Sequence, residues 1–533
     1  MQVRQLPFSD TSIQRPLTLD YLQEKAELSE NYQFAPNIAG SLAAIKARQQ
    51  KPVDRQALSE QLLADYRRII PGFDKGNSPV KHQIEKLKDE HTFTVTTGHQ
   101  LNIFGGPLYY FYKMFSCVRA CQALKEAYPD YHFVPVYWMA TEDHDFEEIN
   151  SFFAFGKTFE WSPENPQGAV GALPPEELKT VLNDLEDSIR EKSHFEDLKN
   201  VFEAAFSQGS LADAVLYWVH QMMEQYGLVV LDANRKVFKK AFQQVVKKDI
   251  LSQNLAPKVV QASEALSDYK LPVNPRKINH FYMEDGLRER IVFQEKSGDF
   301  EVLNTHLRFS VAEMEKLIEE QPEKLSPNVV TRPMYQESIL PNIAYIGGTN
   351  EIAYWLQLKA AFEEAEVFFP QLLVRSSALV VGKGLLKKMK KFDLAYPQLF
   401  QDFDKVVKNY LKTKESTEPI HEELKVLQKS YSAILKNCGQ FQGDLRWEIV
   451  NSIKDQQKAL GKTRKNLEKA LKERNEKDIQ QIEKIFEKIH PEGVFQERKE
   501  NFIPYYLIYG EAFFDILAEN LNPFEQQLSI LEG

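Results

Sequence analysis

The feature that most constrains the fold of this 533-residue chain is a repeated order of apolar run, polar turn and helical pattern. The apolar runs are HTFTVTT (91–97), FVPVYWMA (133–140), GLVVLDAN (227–234), IAYIGG (343–348) and FFPQLLVRSSALVV (368–381, expected to contain one strand). Strands that alternate with helices form parallel sheets, and nearly continuous apolar runs are typical of strands covered on both faces. The pattern therefore predicts an α/β fold with a parallel-sheet core.

Two stretches interrupt this order and are predicted to be insertions between strands of one sheet. Residues 151–226 are polar and predicted to be mostly helical, and residues 255–331 mix short strands with helices. The core is then expected to comprise residues 1–150, 227–254 and 332–384.

Residues 385–490 change in character and predict an α-helical arm. The apolar residues Ile420, Leu424, Leu427, Tyr431 and Ile434 are spaced 4, 3, 4 and 3, which is the seam of a coiled coil. After a break at NCGQFQG, a second helix of about 45 residues continues the period, so the two helices are expected to form an antiparallel hairpin. Residues 491–533 are apolar again and are expected to pack back on the core.

Composition and charge exclude several classes of protein. The formal net charge of −10 argues against a general nucleic-acid binder, because such proteins present a basic face. No apolar run approaches the ~18 residues of a membrane span, and the N-terminus has no apolar signal-peptide core. The three cysteines, Cys117, Cys121 and Cys438, are typical of a reduced, cytoplasmic protein, and we expect Cys117 and Cys121 to be buried.

The turn TGHQLNIFGGP, after the first apolar run, is the first candidate site. A helix N-terminus carries unpaired N–H groups and a partial positive charge, so it favours phosphate or carboxylate. Four residues are predicted to bring the backbone close to such an anion: Thr97, Gly98, Gly105 and Gly106. His99 is expected to donate to oxygens that gain charge, Gln100 to bind a substrate amide, hydroxyl or amine, and a helix to begin at Pro107. A purely structural role for His99 is an equally good interpretation.

The turn TEDHDFEEIN follows the next strand and should face the same crevice, because ligands of open α/β sheets lie beyond the carboxyl ends of strands. Its candidate residues are Glu142, Asp143, His144 and Asp145. Carboxylates there would bind a substrate ammonium, hydroxyls or hydrated Mg²⁺, and either aspartate would act as a general base with the histidine as its acid–base partner. The alternative is an acidic helix N-terminus, above all for Glu147 and Glu148. No spacing demands a metal site held by the protein.

The turn GGTNEIAYW is the third candidate site. Gly347, Gly348 and Asn350 are predicted to approach an anion or a ribose, and Glu351 either to bind ribose hydroxyls or to stabilise the helix N-terminus. Residues around this turn are assigned to substrate binding, namely Arg332, Gln336, Glu337, Tyr354, Trp355 and Arg375. Arginines beside strand ends bind carboxylate or phosphate through paired hydrogen bonds, although a structural ion pair is an equally good interpretation for each.

Four sequence blocks resemble a known family. TGHQLNIFGGPLYYFYK, VPVYWMATEDHDFEEIN, YIGGTNEIAYWLQL and FQERKENFIPYYLIYG are similar to blocks of the cysteine-adding ligases of bacillithiol biosynthesis, the BshC family. The blocks occur in the expected order, from residue 94 or so to residue 510. The resemblance implies a Rossmann-like core with connecting insertions and a C-terminal antiparallel coiled-coil arm that forms a homodimer.

The resemblance also implies an activity, the addition of cysteine to the glucosamine amine of glucosaminyl-malate to give a low-molecular-weight thiol. ATP or another adenine nucleotide would activate the cysteine carboxylate, with Mg²⁺ as a candidate accompanying ion. By analogy with class I aminoacyl-tRNA synthetases, which the core of the family resembles, His99 would contact a phosphate. Gln496, Arg498 and Asn501 are candidates for a second nucleotide pocket. The alternatives are a nucleotidyltransferase acting on another sugar or amino acid, and a dimeric scaffold without turnover.

Overall fold

The structure is a computed structural model of the chain that describes residues 1–164, 166–189, 193–414, 418–440 and 442–533. These residues form two compact units. The first unit comprises residues 1–9, 13–379 and 496–531, and the second comprises residues 10–12, 380–495 and 532–533.

The secondary structure of the described residues is as follows. The strands are β1 (Gln2–Pro7), β2 (Thr92–His99), β3 (His132–Met139), β4 (Ser151–Ala154), β5 (Lys157–Glu160), β6 (Val229–Asp232), β7 (His280–Glu284), β8 (Leu287–Gln294), β9 (Asp299–Val302), β10 (Arg308–Phe309), β11 (Leu325–Pro327), β12 (Asn342–Gly347), β13 (Gln371–Val374), β14 (Ser377–Val381) and β15 (Gln527–Glu532). The helices are α1 (Pro16–Leu22), α2 (Ile38–Gln49), α3 (Arg55–Ile69), α4 (Pro79–Lys86), α5 (Tyr109–Ala127), α6 (Leu178–Ser188), α7 (Phe195–Ala205), α8 (Leu211–Met223), α9 (Lys236–Ile250), α10 (Leu255–Ala265), α11 (Val311–Glu320), α12 (Arg332–Ile339), α13 (Thr349–Trp355), α14 (Lys359–Ala365), α15 (Lys383–Lys391), α16 (Phe403–Lys414), α17 (Glu418–Asn437), α18 (Asp444–Arg474), α19 (Glu476–Ile489), α20 (Ile503–Tyr509) and α21 (Glu511–Asn520).

The centre of the first unit is a five-stranded sheet in the order β13-β12-β2-β3-β6, in which every neighbouring pair is parallel. The chain builds this sheet outward from β2, first through β3 to β6 on one side and later through β12 to β13 on the other. The strand order therefore reverses between β2 and β12. Ligands of open α/β sheets bind beyond the carboxyl ends of the strands at such a point, so the loops after β2 and β12 are placed to form a site. The predicted α/β fold is confirmed.

The register of the sheet brings the carboxyl ends of three strands level with one another. His99 of β2 pairs with Met139 of β3, which in turn pairs with Asp232 of β6. On the other side of β2, Tyr345 of β12 pairs with Thr96. The loops after β2 and β3 therefore leave the sheet side by side.

Helices α2 and α5 pack on the sheet through a cluster of buried apolar side chains. Phe93 and Val95 of β2 meet Ile343 of β12 there, together with Cys117 and Cys121 of α5. Burial raises the pKa of both thiols, so they remain protonated and unreactive. The prediction that these two cysteines belong to the core is confirmed.

Helix α5 begins at Tyr109 rather than at the predicted Pro107. Residues 103–105 first form a 3₁₀ turn, after which Gly106 has a φ of 51°. A Cβ atom at Gly106 would lie only 2.7 Å from the Cβ of Asn102, so this position requires glycine. The chain turns once more before the helix starts, which the simple strand–turn–helix pattern did not include.

Two other segments contain strands that the sequence did not predict. The apolar run 368–381 forms β13 in the central sheet and β14 in a separate sheet of order β1-β15-β14. The segment 151–160 is the antiparallel hairpin β4–β5, although it belongs to the stretch predicted to be mostly helical. Its residues alternate in burial, and Gly156 at the turn has a φ of 79°, which is the signal of a hairpin.

The segment after α10 forms a five-stranded antiparallel sheet of order β10-β9-β8-β7-β11. Helix α11 lies between β10 and β11 along the chain. This sheet contributes Phe281 of β7 and Arg288 of β8 to the cavity described below. The finer division of the chain into core segments and insertions stays a prediction.

The second unit contains the helical arm. Helices α17 and α18 are connected through a 3₁₀ turn at Cys438–Gln440 and pack against each other as a hairpin. The second arm helix is interrupted at Asn475, whose side chain donates to the carbonyl oxygen of Leu471 at 3.0 Å. Two residues of the predicted seam remain exposed, Leu427 by 43% and Ile434 by 44%. The side chain of Ile420 lies outside the described residues.

Candidate active site

A cavity of about 620 Å³ lies at the carboxyl edge of the parallel sheet. Its walls include residues that follow β2, β3 and β12, so it coincides with the point where the strand order reverses. This volume suits a small-molecule substrate. The titratable residues that line it are His99, Tyr109, Lys113, Glu142, Asp143, His144, Glu148, Arg288, Arg332, Tyr335, Tyr345, Glu351, Tyr354, Arg375 and Arg498.

His99 is the last residue of β2 and lines the cavity. Its Nδ1 lies 3.1 Å from the backbone carbonyl oxygen of Gln100, and because a carbonyl oxygen only accepts, Nδ1 carries the proton. Burial and the nearby positive charge of Lys113 lower the pKa of His99 to about 3. The ring is therefore neutral at physiological pH and its Nε2 is a hydrogen-bond acceptor. The sequence analysis expected a donor at this position.

Gln100 and Asp143 join the turns that follow β2 and β3. The Nε2 of Gln100 donates to Oδ2 of Asp143 at 2.8 Å, and the backbone N–H of His144 donates to Oδ1 at 2.8 Å. The guanidinium of Arg288 lies 3.6 Å from Oδ1. Burial alone would raise the pKa of Asp143, but the hydrogen bonds from His144 and Gln100 and the charge of Arg288 outweigh it and hold the pKa below its usual range. Asp143 is thus ionised and a weak base.

Glu148 lies beside this pair of residues. Its backbone carbonyl accepts a hydrogen bond from Nδ2 of Asn102 at 2.8 Å. Partial burial raises the pKa of Glu148, the nearby amide of Gln100 opposes this, and the negative charges of Asp145 and Asp143 add to it. The net result is a pKa above the ordinary value. The carboxylate is exposed at the wall of the cavity.

The buried Lys113 connects the turn after β2 to the turn after β12. Its Nζ donates to the carbonyl oxygen of Gly98 at 2.7 Å and lies 2.6 Å from Oε2 of Glu351. Glu351 also accepts from the backbone N–H of Gly348 at 2.8 Å and from the hydroxyl of Tyr345 at 2.6 Å. Burial raises the pKa of Glu351, but the charge and hydrogen bond of Lys113 outweigh it, so the carboxyl stays ionised. Of the two roles expected for Glu351, the structure favours the one at the helix N-terminus.

Arg332, the first residue of α12, lies against the end of β2. Its Nη1 donates to Oε1 of Gln336 at 3.2 Å, and a Cβ atom at Gly98 would lie 3.5 Å from that nitrogen. The buried Nη2 has no hydrogen-bond partner among the described residues. A buried donor without an acceptor costs about 1–3 kcal/mol, so this nitrogen would gain from an anionic ligand in the cavity.

Arg375 and Arg498 lie near the ring of Tyr109. The guanidinium of Arg375 is 5.2 Å and that of Arg498 is 6.0 Å from the ring centre. Arg375 is buried in an ion pair with Glu497 at 2.5 Å and also donates to the carbonyl oxygen of Ser376. The positive charge of Arg375 is therefore neutralised within the protein by Glu497. Arg498 lines the cavity itself and so belongs to the same site as the other residues.

Two further predicted residues line the cavity but are engaged by neighbouring side chains. Glu142 forms an ion pair at 2.6 Å with the buried Lys239. His144 contacts Arg288 through Nδ1 at 2.5 Å. Asn350 and Tyr354 also line the cavity, in agreement with the placement expected for them.

Ten residues assigned to the site from the sequence do not line the cavity. They are Thr97, Gly105, Gly106, Asp145, Gln336, Glu337, Gly347, Trp355, Gln496 and Asn501. Asp145 is exposed on its turn, and most of the others are buried and contribute to the fold. Trp355 stacks on Tyr345 with ring centres 4.5 Å apart. The hydroxyl of Thr97 donates to the carbonyl oxygen of Ile346 at 2.8 Å.

The remaining polar residues of that group belong to buried hydrogen-bond networks. Asn501 donates to the carbonyl oxygens of Phe104 and Gly106 at 2.9 and 2.6 Å, which fixes the turn before α5. Glu337 accepts from Gln336 and Asn342, and burial raises its pKa to about 7. Of the three residues expected to form a second nucleotide pocket, Arg498 lines this cavity, whereas Asn501 and Gln496 are buried and do not line it.

Three residues that line the cavity, Tyr109, Lys113 and Arg288, were not predicted from the sequence. Lys113 had a local signal, since it is the one charge in the apolar run YYFYKMF and a buried charge needs a partner. Arg288 had none, because it comes from the antiparallel sheet and meets Asp143 only in the folded chain.

Models of two protein families together match nearly the whole chain. The model of the bacillithiol biosynthesis BshC N-terminal Rossmann-like domain matches residues 1–376, and that of the BshC C-terminal coiled-coil domain matches residues 378–532. The chain belongs to the BshC family. The family, the Rossmann-like core and the coiled-coil arm predicted from the sequence are thereby confirmed.

Relatives named "Putative cysteine ligase BshC" are similar over almost their full length. One from Flavobacterium psychrophilum is 38% identical and the match covers 97% of each chain. One from Cytophaga hutchinsonii is 36% identical over 98% of this chain and 97% of its own. One from Bacillus licheniformis is 28% identical over 94% and 95%. The name of these BshC proteins is that of a ligase, which confirms the predicted enzyme class at the level of the family.

A solved structure described as a putative arginyl tRNA synthetase from Campylobacter jejuni matches with 13% identity and a TM-score of 0.21, over 79% of this chain and 99% of that chain. A score this low supports no inference about fold or function. In the described part of the chain, no helix has the length and apolar character needed to cross a membrane. Across the same residues, no three His, Cys, Asp or Glu side chains are grouped so that they would hold a metal ion.

Proposed function

We propose that the protein joins the carboxyl group of cysteine to the glucosamine amine of glucosaminyl-malate through an amide bond, and so makes bacillithiol. The observation that carries this proposal is the polarity of the cavity around β2. Asp143 and Glu148 lie after the neighbouring strand β3, whereas Arg332 lies against the ring of Tyr345 on the other neighbouring strand, β12. Glucosaminyl-malate carries a matching pair of charges, an ammonium on the sugar and carboxylates on the malate.

Different residues of the site bind different groups of the substrate. The carboxylates after β3 attract the ammonium group, and the unpaired Nη2 of Arg332 binds a malate carboxylate as a charge-assisted hydrogen-bond donor. The neutral Nε2 of His99, at the end of the strand between them, accepts a hydrogen bond from a substrate hydroxyl or amine.

An adenine nucleotide such as ATP, with Mg²⁺ as its accompanying ion, supplies when bound the leaving group that makes the cysteine carboxyl reactive. The residues that fit such an anion are Arg498 and the backbone around Gly98 and Gly348, with Asn350 beside them; all line the same cavity. Arg498 is the cation placed for this role because the charge of Arg375 is already neutralised by Glu497.

The proposal is tested by incubating the purified protein with cysteine, glucosaminyl-malate and ATP and measuring the thiol product by mass spectrometry. Reactions that lack one component, or that contain glucosamine without malate, are the controls. We expect product only with all three components. Product without nucleotide would refute the activation step but would still support the assignment of the two substrates. No product from this pair, with ATP consumed in the presence of unrelated sugars, would favour a nucleotidyltransferase instead.

We further propose that the arm forms a homodimer and that the protein acts in the cytoplasm. The arm leaves apolar side chains exposed, including Leu427, Ile434 and the 70% exposed Trp447, and pairing with a second copy would cover such a face. The three cysteines are free, which supports a reducing compartment.

A further inference from the structure

We propose that Glu148 is the general base that takes the proton from the substrate amine. This inference rests on the proposed function and deepens it by assigning the proton transfer to one residue. The sequence assigned that role to Asp143 or Asp145, with His144 as an acid–base partner; for Glu148 it offered either the binding of a substrate ammonium or a part in an acidic helix N-terminus.

Gln100 holds the neighbouring carboxylate in place. Its Nε2 donates to Oδ2 of Asp143 at 2.8 Å, and Asp143 and Glu148 line the same cavity. The negative charge of Asp143 favours the protonated form of Glu148 and so raises its pKa.

The backbone around Glu148 is fixed while its side chain stays accessible. The carbonyl of Glu148 accepts from Asn102 at 2.8 Å, and the carbonyl of Ile149 accepts from the N–H of Ile103 at 3.1 Å. Both bonds come from the turn after β2, so Glu148 is held against the turn that carries His99 and Gln100. A base fixed by its backbone and exposed to the cavity can reach a bound amine.

The other candidate bases near this position are weaker. The oxygens of Asp143 already accept hydrogen bonds from Gln100 and the N–H of His144, and they face Arg288, so its pKa is depressed. His99 has a pKa of about 3. Glu148 has the opposite environment, since burial and the charges of Asp143 and Asp145 raise its pKa. Tyr109 of α5 interacts electrostatically with Glu148 and is uncharged, because burial raises its pKa.

The proton transfer balances as follows. The carboxylate of Glu148 takes one proton from the ammonium group of the sugar and becomes neutral. The freed nitrogen lone pair attacks the carboxyl carbon of the activated cysteine and forms the carbon–nitrogen bond. The bond from that carbon to the phosphate oxygen of the nucleotide breaks, and its electron pair leaves with the oxygen. The new amide nitrogen loses its second proton to water, and Glu148 then releases its own proton to solvent.

The test compares Glu148→Gln with the wild type and with the matched control Glu147→Gln, whose exposed carboxylate lies on the same turn but does not line the cavity. Product formation is measured between pH 6 and 9 or so, well within the range where a sugar amine changes its protonation. We expect Glu148→Gln to be slower by about 100-fold at pH 7, because general-base catalysis typically contributes at least this factor. The deficit should shrink as the pH rises, since more of the amine then arrives without its extra proton. Glu147→Gln should match the wild type.

A second measurement separates catalysis from folding. ATP consumption in a single turnover with cysteine alone needs no amine, so Glu148→Gln should retain the wild-type rate of this partial reaction. A deficit that is the same at every pH and extends to the partial reaction would overturn the inference, as would a Glu148→Gln rate equal to that of Glu147→Gln. A deficit that shrinks with pH in Asp143→Asn but not in Glu148→Gln would assign the base to Asp143 instead. If the wild type itself makes no product, the proposed function fails, and this role fails with it.

Discussion

Replacing Arg332 by methionine should weaken the binding of glucosaminyl-malate and leave the fold largely intact. The side chain donates a hydrogen bond to the neutral Gln336 and lies over the ring of Tyr345, and its Nη2 has no partner among the described residues. Net contributions of neutral hydrogen bonds are about 1 kcal/mol each, and methionine removes the unpaired buried N–H at the same time. The free energy of unfolding should therefore change by no more than about 2 kcal/mol.

The expected loss of affinity is larger than this structural effect and specific for the anionic part of the substrate. A hydrogen bond between charged groups contributes about 1.5–3 kcal/mol, which corresponds to a Kd raised about 10- to 150-fold. Isothermal titration calorimetry with glucosaminyl-malate measures this loss directly. A glucosamine whose malate is replaced by a methyl group lacks the carboxylates, and its Kd should be the same for the wild type and the variant.

Arg375 supplies the contrasting variant, because its guanidinium is paired with the buried Glu497. Arg375→Met leaves that carboxylate buried without its cationic partner, with only hydrogen bonds from Ser377 and the N–H of Ala378 among the described residues, and should lower the free energy of unfolding by about 3–5 kcal/mol. The reasoning about Arg332 is refuted if Arg332→Met binds glucosaminyl-malate as tightly as the wild type. It is refuted equally if the variant loses the same affinity for the methyl analogue.

Three further predictions concern the other parts of the molecule. Lys113→Met leaves the partly buried Glu351 without its cationic partner and should lower the free energy of urea unfolding by about 3 kcal/mol, part of which Glu351→Gln should restore in the double variant; an unchanged single variant would contradict this. In ¹⁵N NMR spectra His99 should stay neutral, with its proton on Nδ1, between about pH 8 and 5. Its folded pKa of about 3 lies below the ordinary 6.5, so between these two values the unfolded chain binds a proton that the folded chain does not. The free energy of unfolding should therefore fall as the pH is lowered from 6.5 towards 3, and His99→Gln should remove this part of the fall; titration of His99 near 6.5 would contradict it. The pair Leu427→Glu and Ile434→Glu should turn dimers into monomers in light scattering, with the exposed Lys429→Glu as control, and a wild type that is already monomeric would refute the dimer.

The sequence predicted the parallel sheet and the turns at its carboxyl edge, because both depend on local patterns. Apolar runs of strand length followed by polar turns identify β2, β3 and β12 without knowledge of their order, and parallel strands must bring such turns to one edge. The contact between Gln100 and Asp143 follows from that rule. The later start of α5 did not follow, because the positive φ of Gly106 is set by the close approach of Asn102 rather than by the strand–helix pattern.

The roles of the side chains were harder to predict, because they depend on partners that are distant along the chain. Arg375 was an equally good ligand or structural group by sequence, and Glu337 was assigned to substrate binding. Their buried neighbours show structural contacts instead, since Arg375 pairs with Glu497 and Glu337 accepts a hydrogen bond from Asn342. His99 was expected to donate a hydrogen bond to a ligand, yet its Nδ1–H already donates to the carbonyl oxygen of Gln100. A local pattern identifies the residue types at a site, whereas the hydrogen bonds that remain available depend on the tertiary structure.

Arg288 is an example of a partner that is distant along the chain and changes the chemistry of the site. It comes from β8 of the antiparallel sheet and lies 3.6 Å from Asp143, a residue of the central fold. Its positive charge is one of the interactions that lower the pKa of Asp143, whereas Glu148 on the same turn has two negative neighbours that raise its pKa. The difference in basicity between the two carboxylates thus arises partly from outside the parallel sheet. If Glu148 is the base, the antiparallel sheet has a chemical role as well as forming a wall of the cavity. Through Arg288 it helps to keep Asp143 ionised, so that Asp143 binds the substrate ammonium group without removing a proton from it.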